Sequence, residues 1–354
     1  MDWFFIITSL LKITILLGVI LFMVSYAVYA ERRVSAFIQD RLGPNRVGPA
    51  GLLQPIADMF KLLLKEDFTP RSANTFYYWL APCLAVAPAI ITIAVVPFGS
   101  TLFGVPMVVA DVNVGIFFVF AISSLGVYGI VIGGWASNSK YPFLGAIRSS
   151  AQMLSYELSL GLAVIPVFLL VGNLRLTSVV RYQIEHGWFI AAFVGDWMNP
   201  WKWLLAIPMI ISFLVFMIAI FAETNRLPFD LPEAEQELAG GYNTEYSSMK
   251  FALYFLGEYA AMITGSAVVV TLFFGGWHFP GIPDGYHGWV FGLINIAVFF
   301  TKVAVVIFVF MWVRWTLPRF RWDQLMRLGW LFFFEIALVN IFLVAGILAY
   351  GPRL

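Results

Sequence analysis

The sequence predicts an all-α polytopic membrane protein of about eight transmembrane helices, with one amphipathic helix lying at the membrane surface. Three observations predict it. First, 61% of the 354 residues are hydrophobic and 12% are charged, against about 45–50% and about 25% in soluble domains. Second, eight apolar runs are long enough to span a hydrocarbon core, which takes roughly 20 helical residues. Third, the charges concentrate in alternate connections between those runs. The expectation is a single membrane domain over residues 1–354.

The first run covers about residues 3–30. It is longer than the apolar core of a signal peptide and no small-residue cleavage site follows, so it reads as a retained anchor. Residues 31–40 continue that helix with charge. RLGPNRVGP, 41–49, is a Gly/Pro/Asn turn. In GLLQPIADMFKLLLKED, 51–67, Leu52, Leu53, Ile56, Met59, Phe60, Leu63 and Leu64 recur at helical spacing, with Asp58, Lys61 and Lys65 between them. The segment is too short and too charged to span, so it predicts an interfacial helix within the first loop, 31–72. Further spans are expected near 73–97, 112–135, 148–173, 202–222, 249–275, 289–314 and 328–350.

Basic residues set the orientation. Seven lie in the first loop (Arg32, Arg33, Arg41, Arg46, Lys61, Lys65, Arg71). Eight more follow on the same side: Lys140, Arg148, Arg226, Lys250, Arg314, Arg319, Arg321 and Arg327. The opposite connections carry Arg175, Arg181 and Lys202. The basic side is therefore expected to face the cytoplasm, with both termini outside.

The most unusual stretch is 221–246, FAETNRLPFDLPEAEQELAGGYNTEY, within an acidic inner loop spanning 223–248. It holds Glu223, Asp230, Glu233, Glu235, Glu237 and Glu245 against one cation, Arg226, while the whole chain has 20 acids. Carboxylates crowded beside a low-dielectric phase cannot all stay ionised, because desolvation and like-charge repulsion both oppose it. Such a cluster can take up or release protons. An acidic solvated loop is the bland alternative, but Pro228, Phe229, Pro232, Tyr242 and Tyr246 describe an ordered turn. Asp230 suits an N-cap with Glu233 three residues on and Pro232 in the first turn, and Gly240-Gly241 would stop that helix. On it Glu233 and Glu237 share a face and Glu235 points away.

Three charges fall inside apolar runs: Glu157, Glu258 and Lys302. Each costs about 2.5–3.5 kcal/mol at a helix centre on insertion scales, so each is expected to face protein or a wet path. The alternative is an inert Glu157–Lys302 pair. Lys12 and Glu335 lie nearer helix ends, where side chains can snorkel. Tyr156 and Tyr259, beside the two glutamates, read as packing aromatics. The residues suggest a route from the acidic loop through Glu223, Glu258 and Glu157 to a neighbouring subunit, because outward loops 98–111 and 276–288 carry almost no titratable groups.

Other chemistry finds little support. A net charge of +1 gives no case for nucleic-acid binding. The single cysteine, Cys83, excludes an intrachain disulfide and a thiolate-ligated centre built by this chain alone. His186, His278 and His287 are expected in loops, and no Gly-rich nucleotide motif follows a strand pattern. No cofactor is therefore expected on this chain by itself.

Four segments carry a resemblance. ERRVSAFIQDRLGPNRVGPAGLLQPIADMFKLLLKED, SNSKYPFLGAIRSSAQMLSYE, FAETNRLPFDLPEAEQELAGGYNTEY and WTLPRFRWDQLM occur in this order and resemble the H-subunit family of NADH:quinone oxidoreductase, respiratory complex I. The resemblance spans nearly the whole chain. It implies a heel subunit of a proton-translocating enzyme in a bacterial plasma membrane, forming much of the quinone access chamber. It implies quinone as substrate, with NADH, FMN and iron–sulfur clusters on partner subunits of the peripheral and membrane arms. It also implies a glutamate path at Glu157, Glu223 and Glu258, and an acidic loop at Asp230, Glu233, Glu235, Glu237 and Glu245. Arg41, Asp58 and Lys61, and Arg226 in the acidic loop, are then candidates for the quinone region.

Three other readings compete. The equivalent subunit of a membrane-bound hydrogenase or ferredoxin-linked complex shares the helix plan, but the first-loop and PFDLPEAEQEL matches favour the quinone-linked version. A stand-alone secondary transporter predicts paired broken helices; Pro166 and Pro208 could break helices, yet no internal repeat accompanies them. An intramembrane protease would need a Ser/His or paired-Asp motif at membrane depth, and none is recognisable.

Overall fold

The computed structural model describes residues 3–190, 200–230, 241–280 and 288–350. Among these residues eight helical stretches are long and apolar enough to cross a membrane. The first helix, α1 (Trp3–Ile38), runs through Glu31 into the first loop without a break, as the charge pattern predicts. The amphipathic helix is α2 (Gln54–Leu64). It buries no residue against the rest of the chain, and Ile56, Met59, Phe60 and Leu63 are all about half exposed, as suits a helix seated in a membrane surface.

The remaining spans are α3 (Thr75–Thr92), the pair α4 (Gly115–Ser123) and α5 (Leu125–Ala136), α6 (Lys140–Val171), α8 (Pro200–Glu223), α9 (Ser248–Phe273), α10 (Trp289–Thr316), and α11 (Trp322–Leu328) running into α12 (Phe334–Tyr350). A short antiparallel hairpin, β1 (Thr101–Leu102) with β2 (Val105–Pro106), follows α3. α4 and α5 meet at Ser124, whose amide and hydroxyl both turn to the Phe120 carbonyl, at 3.0 and 2.7 Å. Such back-bonding bends a helix without breaking it.

Four features differ from expectation. α6 begins at Lys140, not near 148, because residues 140–147 continue its buried stripe through Pro142, Gly145 and Ala146. An unpredicted helix, α7 (Leu176–His186), fills the outward connection; it is too polar overall to read as a span, yet buries Leu176, Val179, Val180 and Gln183. His186 therefore closes a helix, stacked on Tyr182 at 4.2 Å, instead of lying in a loop. Glu335, expected near a helix end, lies near the middle of the Trp322–Tyr350 span.

Without a strong hydrophobic drive between helices in lipid, close packing depends on small residues. α3 carries Ala81, Ala85 and Ala89 on the sides that meet α5 and α9. A Cβ at Gly129 on α5 would stand 2.6 Å from the Ala85 nitrogen, and one at Gly257 on α9 would stand 3.1 Å from the Ala85 carbonyl oxygen. α8 and α9 are the most buried spans, at 61% and 72%, whereas α1 and α12 are at 11% and 17%. The bundle core thus sits on α8 and α9, with α1 and α12 on its flanks.

The far end is tied by carbonyl caps. Gln183 Nε2 donates to the Thr271 and Leu272 carbonyls and its Oε1 accepts from the Gly275 amide. Lys302 Nζ donates to the carbonyls of Phe274, Gly276 and His278, so it closes the end of α9 and makes no pair with Glu157. Lys12 Nζ reaches the Val108 carbonyl at 2.9 Å, consistent with its expected place at a helix end.

Candidate functional site

The end of α8 organises the site. Asn225 takes a left-handed backbone, φ 50°, and the Arg226 amide donates to the Phe221 carbonyl at 3.0 Å while the Asn225 amide reaches Ala222. This is a Schellman closure with Asn at the left-handed position. It ends the helix at Glu223 and turns Arg226 back into the bundle. Gln152 on α6, fully buried, holds the turn by donating to the carbonyls of Ala222 (2.9 Å) and Phe229 (2.8 Å).

Arg226 is 3% exposed and sits in a charged network within the helix bundle. Its Nε lies 2.7 Å from Glu258 Oε1 on α9 and its Nη1 3.3 Å from Glu31 Oε2 on α1. Its guanidinium stacks over the Tyr259 ring at 4.0 Å. Glu31 also receives Arg314 from α10 at 2.5 Å and the Tyr259 hydroxyl at 2.7 Å. Arg319 pairs with buried Asp230 at 3.1 Å. Charges this deep persist only when paired and hydrogen-bonded. Four elements therefore meet in one alternating chain, Arg314–Glu31–Arg226–Glu258.

A second cluster lies where α4 meets α5. The Ser124 hydroxyl is hydrogen-bonded to Glu157 of α6, and the neighbouring Ser123 lines a cavity together with Glu223 of α8. Both hydroxyls also face the Phe120 carbonyl, at 2.7 and 3.1 Å. A hydroxyl has one proton and two lone pairs, so Ser124 can donate to the carbonyl or to the Glu157 carboxylate, and can accept from a protonated acid. A cavity of about 60 Å³, lined by Ser123, Glu223, Thr92, Thr224 and Thr264 among apolar side chains, adjoins this pair. A polar space of that size can hold water. A wider cleft of about 640 Å³ runs between α4 and α6 from Asn113 and Asn173 to Gly161, one turn from Glu157.

The end of the acidic loop is stitched to the end of α2. The Ser248 hydroxyl caps the carbonyls of Leu62 (2.9 Å) and Lys65 (3.0 Å), and Ser247 Oγ accepts the Phe68 amide. Lys250, 1% exposed, pairs with Asp67 at 3.0 Å, donates to Thr69 Oγ1 at 2.6 Å, and lies over the Trp79 ring at 4.2 Å. Tyr246 stacks on Tyr78 at 4.1 Å, whose hydroxyl holds the Glu245 carbonyl. Burial pushes the Tyr246 phenol up to about 12, so it stays a neutral donor.

The expected sites divide accordingly. Glu157 and Glu223 both come to the Ser123–Ser124 junction, Glu157 bonded to Ser124 and Glu223 sharing a cavity with Ser123. Glu258 joins Arg226, so the expected single file Glu223–Glu258–Glu157 becomes two clusters. Asp230 is held by Arg319. Asp58 pairs with Arg32 at 2.8 Å, tying α2 to α1, and accepts from Gln54. Lys61 and Arg41 are exposed, Arg41 donating to Gln39. Glu245 is partly buried. Glu233, Glu235 and Glu237, with the helix proposed for them, lie outside the described residues. Of the two tyrosines read as packing aromatics, Tyr156 anchors α11 through the Leu325 carbonyl (2.8 Å), whereas Tyr259 belongs to the charged network.

Sequence reasoning missed Glu31, Arg314, Gln152, Ser123, Ser124 and Lys250 as parts of these clusters. Glu31 carried a signal, as an acid at the inner end of an unbroken helix. So did the adjacent serines in the apolar run AISSLG. Gln152 and Lys250 had none beyond polarity.

Comparison with known proteins gives a consistent result. A family model for NADH dehydrogenase matches residues 11–345. An NADH-quinone oxidoreductase H subunit of Geobacter metallireducens is 49% identical over 343 residues, covering 96% of each chain. The corresponding H subunit of Rickettsia prowazekii is 49% identical over 344 residues, covering 97% of this chain and 94% of that one. That of Flavobacterium johnsoniae is 43% identical over 355 residues, covering 98% and 97%.

Proposed function

The chain belongs to the NADH dehydrogenase family, and on that premise we propose that it is the membrane subunit of an NADH:quinone oxidoreductase that lines the quinone access chamber and couples quinone reduction to proton movement. Electrons and their cofactors belong to partner subunits. The inner face, in this reading, is the end that carries α2 and the acidic loop, with both termini on the other side.

Quinone would approach between α1, α2 and α9. Behind that gap stands the Arg314–Glu31–Arg226–Glu258 network, whose members come from α10, α1, the α8 turn and α9. Reduction of a quinone beside the inner loops alters the charge those loops must accommodate. A chain of alternating charges in low dielectric responds as a unit, because each member's ionisation depends on its neighbours. Arg226 follows Glu223 by three residues on a rigid turn, so a shift of the network moves the α8 end and Glu223 with it. Glu223 and Glu157 would then exchange protons through Ser123, Ser124 and water in the adjoining cavity. The lateral cleft beside Glu157 leads toward a neighbouring membrane subunit.

The observation that carries this proposal is the placing of Glu157, bonded to Ser124, and Glu223, beside Ser123, at one helix junction next to a polar cavity, one turn from the buried charged network. An inert structural pair would need opposite charges, and these are two acids. The test is Glu157→Gln in the assembled complex. Proton-coupled quinone reduction should fall by at least roughly tenfold, the scale of a removed acid–base group, while subunit content stays the same. Unchanged coupled turnover would leave Glu157 a structural residue.

A further inference from the structure

Among the described residues, the acids on α1, α6, α8 and α9 each face a polar or charged group of this chain: Glu31 has Arg226 and Arg314, Glu157 has Ser124, Glu258 has Arg226, and Glu223 shares a cavity with Ser123. Glu335 has none and is exposed. It lies 15 residues before Tyr350, about 22 Å along a helix, and 8 residues after Arg327, about 12 Å, so it stands inside the span from both ends.

The helix is built to turn it outward. Gly329 presses against the Tyr156 ring, where a Cβ would come within 3.2 Å, and Trp330 Nε1 donates to Ser155 Oγ at 3.1 Å. Both keep the start of the turn keyed to α6. Residues Gly329–Phe333 then form a π-helical turn, which inserts extra rotation before α12. On α12 itself the inner face is settled by Ala337, Val344 and Asn340, the last donating to the Pro208 carbonyl and Ser212. The opposite face carries Leu331, Leu338, Val339 and Phe342, between 38% and 70% exposed, around Glu335. An isolated carboxylate in hydrocarbon is strongly disfavoured, and it asks for a donor at the same depth.

We infer that this face of α12 is an interface for a transmembrane helix of a different subunit, and that the helix presents a basic or hydroxyl side chain to Glu335. The inference rests on the subunit reading above and adds to it a face, a depth and a chemistry.

The test uses the purified intact complex with a photoreactive residue in place of Leu338, and in place of Leu10 on α1 for comparison. The expected result is a cross-link from 338 to one identified membrane subunit, at a segment bearing a donor side chain. Glu335→Lys should lower retention of that subunit roughly tenfold or more, whereas Glu335→Gln, which still accepts a hydrogen bond, should retain it. Cross-links from 338 to lipid alone or to a second copy of this chain would overturn the inference, as would full retention in Glu335→Lys, with the subunit reading intact. Purification of the wild-type chain without any other subunit would overturn that reading and the inference together.

Discussion

Replacing Arg226 by Met strips a buried guanidinium from two carboxylates and an aromatic face. Its Nε–Glu258 contact is 2.7 Å, its Nη1–Glu31 contact 3.3 Å and its ring stack on Tyr259 4.0 Å. Glu31 keeps Arg314 at 2.5 Å and the Tyr259 hydroxyl at 2.7 Å, so most of the loss falls on Glu258. Removing one member of a buried pair costs about 3–5 kcal/mol, and a desolvated cation–π contact adds about 1–2 kcal/mol. The Glu258 side chain is only 13% exposed, so solvent screening gives little relief. At roughly 2 °C per kcal/mol for a large domain, the thermal midpoint of the detergent-solubilised complex should fall by about 8–14 °C. Adding Glu258→Gln removes the charge that the first change left behind. The double variant should therefore recover at least about 2 kcal/mol relative to the sum of the single variants, a coupling expected only of groups in contact. Single and double variants that add within about 0.5 kcal/mol would refute the network.

Ser124→Ala removes a charge-assisted hydrogen bond to Glu157, worth about 1.5–3 kcal/mol; coupled turnover in membrane vesicles should drop roughly tenfold or more, with quinone KM unchanged. Gly129→Ala places a Cβ 2.6 Å from the Ala85 nitrogen; the α3–α5 contact must spread, costing about 1–3 kcal/mol, which the yield of folded chain and its thermal midpoint will report. Lys250→Met removes the clamp on Asp67 and Thr69, but also the desolvation of a buried ammonium, and Asp67, 39% exposed, keeps its solvent, so global stability should change by less than about 1.5 kcal/mol. Local opening is the sensitive readout there: hydrogen exchange over residues 62–69 should rise while that of α3 and α9 stays the same.

Composition and hydropathy were enough for the class of fold, because a bilayer leaves a long apolar run few choices besides a spanning helix with its own backbone satisfied. The eight spans followed from that rule, and the surface helix around Asp58 and Lys61 from apolar residues at helical spacing in a segment too short to span. The helix ends were harder. Lys140 opens α6 because residues 140–147 find buried partners, and α7 forms because Val179, Val180 and Gln183 cover the end of α9; neither reason is local. Intramembrane charge pointed to Glu157, Glu258 and Lys302, since such residues are too costly to be casual, and the acidic stretch pointed to Glu223. What charge along a chain cannot say is which acid meets which donor.

That pairing was decided in three dimensions. Arg226 meets Glu258 and Glu31 because the closure at Asn225 reverses the chain just after α8, and α1, α9 and α10 converge there. Ser123 and Ser124 joined the candidate site only because α6 brings Glu157 to Ser124 and α8 brings Glu223 to the cavity beside Ser123. The serine hydroxyls have no sequence signature, since their role depends on the partner's position and not on their own spacing. Solvent preference acts on every residue separately and so is legible in order along the chain; hydrogen bonds and ion pairs are properties of two residues at once, and separations such as 31 to 226 to 314 are set only by how the helices pack.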